Sequence, residues 1–132
     1  MAKSFEYPVS TNSRSELVKI DHLIEKAIKE SGVKDGICTI FVPHTTAGVT
    51  INEGADPSVV SDILKELNKV IPFSDNYAHL EGNSAAHIKS SLVGCSSSII
   101  IESGQPKLGT WQSLFFCEFD GPRRRKVWIK IV

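Results

Sequence analysis

The chain has 132 residues, 41% of them hydrophobic, with 15 Lys and Arg set against 15 Asp and Glu. A chain of this length can bury roughly two thirds of its extended surface around one core without metal or disulfide staples, so residues 1–132 read as one domain. Zero net charge excludes the broad basic field of a nonspecific nucleic-acid binder, and no run approaches the roughly 18 apolar residues that span a bilayer. Neither nucleic acid nor membrane is expected as a partner. Met1 to Tyr7 has no apolar leader segment, which predicts a cytoplasmic location. Cys38, Cys95 and Cys117 are odd in number and widely spaced, with no C-x-x-C pair. They are expected to be reduced and buried, Cys95 being the most exposed of the three.

In chain order, Ser4 to Ser10 and Glu16 to Ile20 predict short strands around the turn-rich Thr11-Asn12-Ser13. Asp21 is placed to cap a helix with Leu23, Ile24, Ala27 and Ile28 on one face, ended by Gly32 and Gly36. Ile37 to Val42 is apolar on both alternating faces, the pattern of a central strand covered on both sides, and it stops at Pro43. Asp56-Pro57 starts a second helix with Val59, Val60, Ile63, Leu64, Leu67 and Val70 at helical spacing, and Pro72 ends it. Phe73 to Gly82 reads as a polar loop, after which Ala85, Ile88 and Leu92 predict a short helix closed by Gly94. Ser98 to Ser103, Trp111 to Phe119 and Arg125 to Val132 predict strands separated by Gly104-Gln105-Pro106 and Asp120-Gly121-Pro122. Strands at both ends with helices between them indicate an α+β class built on an antiparallel sandwich with two or three packed helices.

Residues suited to chemistry collect where the regular pattern fails: His44 to Gly48, Asn52 to Asp56, Asp75 to Asn83, and His87. His44, His79 and His87, with carboxylates nearby, have the chemistry of a divalent zinc, manganese or nickel site. The eight-residue interval from His79 to His87 is not a helix-borne zinc pair, so a loop must bring the rings together. His22 opens the first helix among charged residues and reads as a solvated side chain. Glu53 and Glu81 are candidates for general base or acid ligand, with magnesium as the ion for a phosphorylated substrate. Asp56 has the same chemistry but also sits where a helix cap belongs. Gly109-Thr110-Trp111-Gln112 offers backbone amides, a hydroxyl and an indole N–H to an anion, although it is too short for a Walker loop. Arg123-Arg124-Arg125-Lys126 reads as a solvated or subunit-facing run that could also bind phosphate.

The blocks Phe41-Val42-Pro43-His44-Thr45-Thr46-Ala47, Asn52-Glu53, His79 with Glu81-Gly82-Asn83, Ala86-His87-Ile88, Leu108-Gly109-Thr110-Trp111-Gln112 and Glu118-Phe119-Asp120-Gly121-Pro122-Arg123 together resemble the YjbQ-like family, an uncharacterised protein family. The likeness runs from about Ile20 to the C-terminus. It implies a jelly-roll-like sandwich, a homotrimer, and activity as a secondary thiamine-phosphate synthase, joining a pyrimidine pyrophosphate to a thiazole phosphate with release of pyrophosphate. By the same resemblance His44, His79 and His87 are metal ligands in a cleft near a subunit boundary. The resemblance also carries over Asn52, Glu53, Asn83, Trp111, Gln112 and Arg123; with Gly109 and Thr110 of the anion motif, Asn52, Asn83, Trp111, Gln112 and Arg123 would hold the small phosphorylated metabolite, Glu53 and Glu81 being the catalytic candidates. Two other functions fit the same residues: a metal-dependent hydrolase, and a noncatalytic trimeric protein that binds a metabolite or phosphate.

Overall fold

The computed structural model describes residues 2–132. Strands β1 (Lys3–Ser10), β8 (Arg124–Ile131), β3 (Gly36–Phe41), β5 (Ser96–Glu102) and β6 (Gln105–Lys107) form one antiparallel sheet in that order. A second antiparallel sheet has β7 (Gln112–Glu118) between β2 (Glu16–Lys19) and β4 (Ala47–Glu53). Three helices, α1 (Asp21–Ser31), α2 (Pro57–Val70) and α3 (Ser84–Val93), pack on these sheets, so the α+β class holds. The second sheet has three strands, one fewer than each half of an eight-stranded jelly roll, so the strand order does not establish that finer description.

Alternation along the strands determines where the core lies. Val127, Ile129 and Ile131 of β8, Cys38 and Ile40 of β3, and Ile99 and Ile101 of β5 point one way. They meet Leu114 and Phe116 of β7, Val49 of β4, and Ile24, Ala27 and Ile28 of α1. The other side chains of β7 and its end, Phe115, Cys117 and Phe119, form a second cluster with Ala86 of α3, backed by Leu17, Val60, Leu67 and Val93. Strand β7 is therefore buried on both faces, which explains its continuous apolar run. No helix among the described residues is long and apolar enough to cross a membrane.

Several expectations are corrected. Asn52 to Asp56 and His44 to Gly48 break the expected regular pattern, yet Ala47–Glu53 is a strand paired with β7 from Ala47↔Glu118 to Glu53↔Gln112. Its Ala47, Val49 and Ile51 alternate with Gly48, Thr50 and Asn52, a period-two pattern masked by the polar flanks. Of the expected turn Gly104-Gln105-Pro106, Gln105 and Pro106 belong with Lys107 to a strand that pairs with β5. Asp21 makes no cap bond; its carboxylate accepts from the Leu114 amide at 2.9 Å, tying α1 to β7. The α1 stop holds, with Gly32 in the left-handed region at φ 73°. Asp56 does cap α2, accepting from the Ser58 amide at 2.9 Å.

In α3 the expected core face is rotated: Ile88 and Leu92 are exposed, whereas Ala85, Ala86, Lys89 and Ser90 are buried. Small side chains there let the helix and its end approach β4. A Cβ on Gly48 would lie 2.6 Å from the Gly94 carbonyl oxygen. Cys38 and Cys117 are buried and burial pushes each thiol up to about 12, but Cys95 is exposed. Strand β3 is central as expected, yet only its inner face is covered within the chain. Ile37 and Phe41 remain on an open outer face.

Candidate functional site

Four connections converge at one end of the molecule. The β1–β2 connection brings Arg14, the β3–β4 connection Thr45 and Thr46, the start of α3 and the loop before it Glu81, Gly82, Asn83 and His87, and the β7–β8 turn Asp120 and Arg123. Together they line a polar cleft of about 410 Å³.

Buried charge fixes the walls. Glu118 and Arg125 lie on the inward faces of their strands and form an ion pair with side chains 0% and 3% exposed. The Glu118 carboxylate accepts from Arg125 Nε at 2.9 Å, Thr11 Oγ1 at 2.8 Å and the Asp120 amide at 3.0 Å. Arg125 Nη2 also donates to Thr46 Oγ1 at 2.8 Å. One network thus joins three of the four connections. Burial alone would raise the Glu118 pKa, but hydrogen bonds from Arg125, Asp120 and Thr11 outweigh it and hold the group below its ordinary value. Main-chain bonds from Gly121 to the Arg14 carbonyl, 3.0 Å, and from Phe119 to the Thr46 carbonyl, 3.2 Å, close the same walls.

Within the cleft, Arg123 Nη2 donates to Asp120 Oδ2 at 3.0 Å and its Nε to the Asp120 carbonyl at 2.9 Å. Asn83 Nδ2 donates to the same Asp120 oxygen at 3.0 Å. That leaves Asn83 Oδ1 buried without a donor. Such an orphan acceptor carries a desolvation cost of about 1–3 kcal/mol until a donor reaches it.

The structure brings His79 and His87 together, their rings perpendicular with centroids 5.6 Å apart. Glu81 Oε2 lies 3.9 Å from His79 Nε2. His44 is elsewhere, in a hollow lined by Glu6, Pro8, Arg124, Arg125 and Lys126. Its Nε2 lies 3.1 Å from the Lys126 amide nitrogen and 3.2 Å from the Lys126 carbonyl oxygen, and the ring sits edge-on to Phe116. Burial, then the Arg125 charge, lowers its pKa. The three imidazoles do not meet within one chain. Among the described residues no three His, Cys, Asp or Glu side chains gather as a metal-binding group.

The remaining sequence candidates form a second, distant group. Asn52, Glu53, Trp111 and Gln112 lie at the far end of the β4–β7 ladder, six residues from Glu118, or about 20 Å. There the Gly109 amide, expected to hold an anion, donates to Gln112 Oε1 at 2.8 Å. Trp111 and Thr110 are exposed, and the Glu53 carboxylate accepts from the Asp56 amide at 3.2 Å. Sequence reasoning missed Arg14, which has no motif around it, and treated Arg125 as surface. The second was legible, because period two puts Arg125 on the face of Val127, Ile129 and Ile131.

A family model described as UPF0047 protein YjbQ-like matches residues 5–132. A UPF0047 protein of Methanocaldococcus jannaschii is 63% identical over 128 residues, covering 97% of this chain and 93% of its own. The UPF0047 protein YugU of Bacillus subtilis is 47% identical over 125 residues, covering 94% and 95%. Among solved structures, an uncharacterised conserved protein of the same family from Clostridium acetobutylicum superposes with TM-score 0.96 at 56% identity, covering 97% and 99%. A protein of unknown function from Sulfolobus solfataricus superposes with TM-score 0.95 at 33% identity, covering 99% and 96%.

Proposed function

The chain belongs to the YjbQ-like family of UPF0047 proteins, and on that footing we propose that it binds a small phosphorylated metabolite in the polar cleft of Arg14, Thr45, Asn83, His87 and Arg123. One observation carries this reading: the guanidinium groups of Arg14 and Arg123 and the His87 imidazole line a single polar recess with Thr45, Thr46 and Asn83, its carboxylates being Asp120, paired with Arg123, and Glu81, beside His79. Arginine forks match phosphoryl oxygens in geometry and charge. His87 at the wall, with His79 against it, is the group suited to move a proton to or from a bound phosphoryl ester.

We retain thiamine-phosphate synthesis as the specific reaction to test, and a divalent ion as its proposed cofactor. Zinc suits the paired imidazoles, and magnesium would enter with a phosphorylated substrate. His79 and His87, with Glu81, are the side chains of this chain that would hold the ion. Among the described residues one chain supplies too few ligands to close such a site. The ion would supply charge neutralisation for a departing pyrophosphate.

The homotrimer is likewise a proposal, supported by the open apolar face of β3. Association of copies is also the one way in which the Asn52, Glu53 and Gly109 to Gln112 group of one chain could approach the cleft of another, since about 20 Å separates them along a ladder. A second reading, noncatalytic binding of the metabolite, is favoured by a specific observation: Asp120 is committed to Arg123 and Asn83, and Glu53 lies outside the cleft.

Thermal unfolding with increasing inorganic pyrophosphate tests the shared claim. A midpoint that rises with ligand supports the cleft, because a ligand that binds only the folded state stabilises it by mass action; an unmoved midpoint sinks it. Incubation with the pyrimidine pyrophosphate and thiazole phosphate then separates the readings. Thiamine phosphate formed above a His87→Ala control supports the synthase, whereas a bound but unconsumed ligand supports sequestration.

A further inference from the structure

Arg123 was the arginine that sequence reading put on the phosphate, but its donors are partly spent. Nε and Nη2 both go to Asp120, whose charge is offset in the process. Arg14, which also lines the cleft, forms no ion pair among the described residues. Its Cζ lies 3.7 Å from the centre of the Phe73 ring. A guanidinium held over a ring face keeps its in-plane N–H groups directed outward, free for a ligand.

The same ring faces a second cation. Lys89 of α3 is 0% exposed, its Nζ 4.1 Å from the Phe73 centroid and hydrogen-bonded to Asn68 Oδ1. It too has no carboxylate partner among the described residues. Burial, then the nearby Arg14 charge, lowers the Lys89 pKa. Phe73 begins the loop that carries His79 and Glu81, so fixing this ring fixes both one cation and the start of that loop. Arg14 and Lys89 thus add two cations without a carboxylate partner of their own, near a recess whose other charges are the Arg123–Asp120 pair and Glu81.

We propose that Arg14, rather than Arg123, is the residue that grips the phosphoryl group in the cleft, and that Phe73 with Lys89 beneath it is the platform that positions Arg14. This rests on the anion-binding reading of the cleft. Phe73 and Lys89 are positioning residues, acting through Arg14 without touching the ligand.

Titration calorimetry with inorganic pyrophosphate tests this on the full chain, each variant first shown to unfold cooperatively. Arg14→Gln is expected to weaken binding about tenfold or more, and Arg123→Gln by about threefold or less, because only the first removes an uncommitted cation. Phe73→Leu should weaken binding about fivefold in the parent chain and hardly at all in the Arg14→Gln background, with Phe73→Trp restoring it. A merely structural role for the ring would give the same penalty in both backgrounds. Lys89→Met, which keeps volume and removes the charge, should leave Phe73 seated and lower affinity by less than Phe73→Leu. An Arg123→Gln loss equal to or larger than that of Arg14→Gln overturns the assignment, and an additive Phe73 penalty overturns the platform. Absence of pyrophosphate binding by the unaltered protein rejects the cleft reading and this proposal with it, whereas retained binding by Arg14→Gln rejects this proposal alone.

Discussion

Arg125 and Glu118 pair under the cleft with both side chains essentially out of water, which makes the cleft's framework sensitive to the loss of either partner. Removing one leaves an uncompensated buried charge, whereas both together are satisfied by Thr11, Thr46 and Asp120. Arg125→Met is therefore expected to destabilise the fold by about 3–5 kcal/mol near neutral pH, measured by denaturant unfolding. The pH dependence follows from the depressed Glu118 pKa. Its contribution is fully present above the unfolded carboxylate value, about 4.3, and is lost as pH falls from there through the folded value. In Arg125→Met the Glu118 pKa rises, so the deficit against the parent should shrink on acidification below about pH 4. A deficit independent of pH would show that packing, and not the charge, is what Arg125 contributes.

At the scale of elements, the approach of α3 to β4 decides where His87 and Asn83 stand. Ala85, Ala86 and Ser90 face inward where larger side chains would hold the helix off, and Gly48 leaves room for the chain as it leaves α3. The main-chain bond from Val49 to the Gly94 carbonyl, 3.1 Å, then pins that exit to the strand. Gly48→Val should force this contact apart and destabilise by roughly 1–3 kcal/mol, the range for overpacking a filled site. Because α3 carries His87 and begins just after Asn83, the variant should also weaken pyrophosphate binding while Arg123 and Arg14 remain in place. A variant as stable as the parent would mean the helix can slide without cost. The helices α1 and α2 were readable from spacing, the Gly32 stop and the Asp56 cap, and α3 from its extent, but not its buried face. Its four inward residues include Lys89 and Ser90, which no hydrophobic pattern can reveal, because the lysine is held there by Phe73 and Asn68 from elsewhere in the chain.

For the whole molecule, the outer face of the five-stranded sheet is the feature a lone chain does not explain. Ile37, Phe41, Ile100 and Trp128 stand 39–54% exposed there, with Phe41 and Trp128 stacked at 5.9 Å. A run of apolar side chains on an open sheet face is a surface for association. Light scattering on the purified protein is expected to give about three times the 14.5 kDa chain mass, and Phe41→Glu with Trp128→Glu to give the single-chain mass with the fold retained. A parent protein that runs as one chain would remove the homotrimer proposal. The sequence alone determined the α+β class, the central place of β3, the two ends of α2 and the identity of the family, since periodicity, capping and residue blocks are local properties of a chain. Tertiary structure alone decided that His79 and His87 meet while His44 stays with Lys126, that the candidate residues divide between two ends of one ladder, and that Arg14 and Arg123 line one cleft. Those facts depend on strand register and on which loops share an end of the sheet, distances set by pairing between residues far apart in sequence, and no local pattern encodes them.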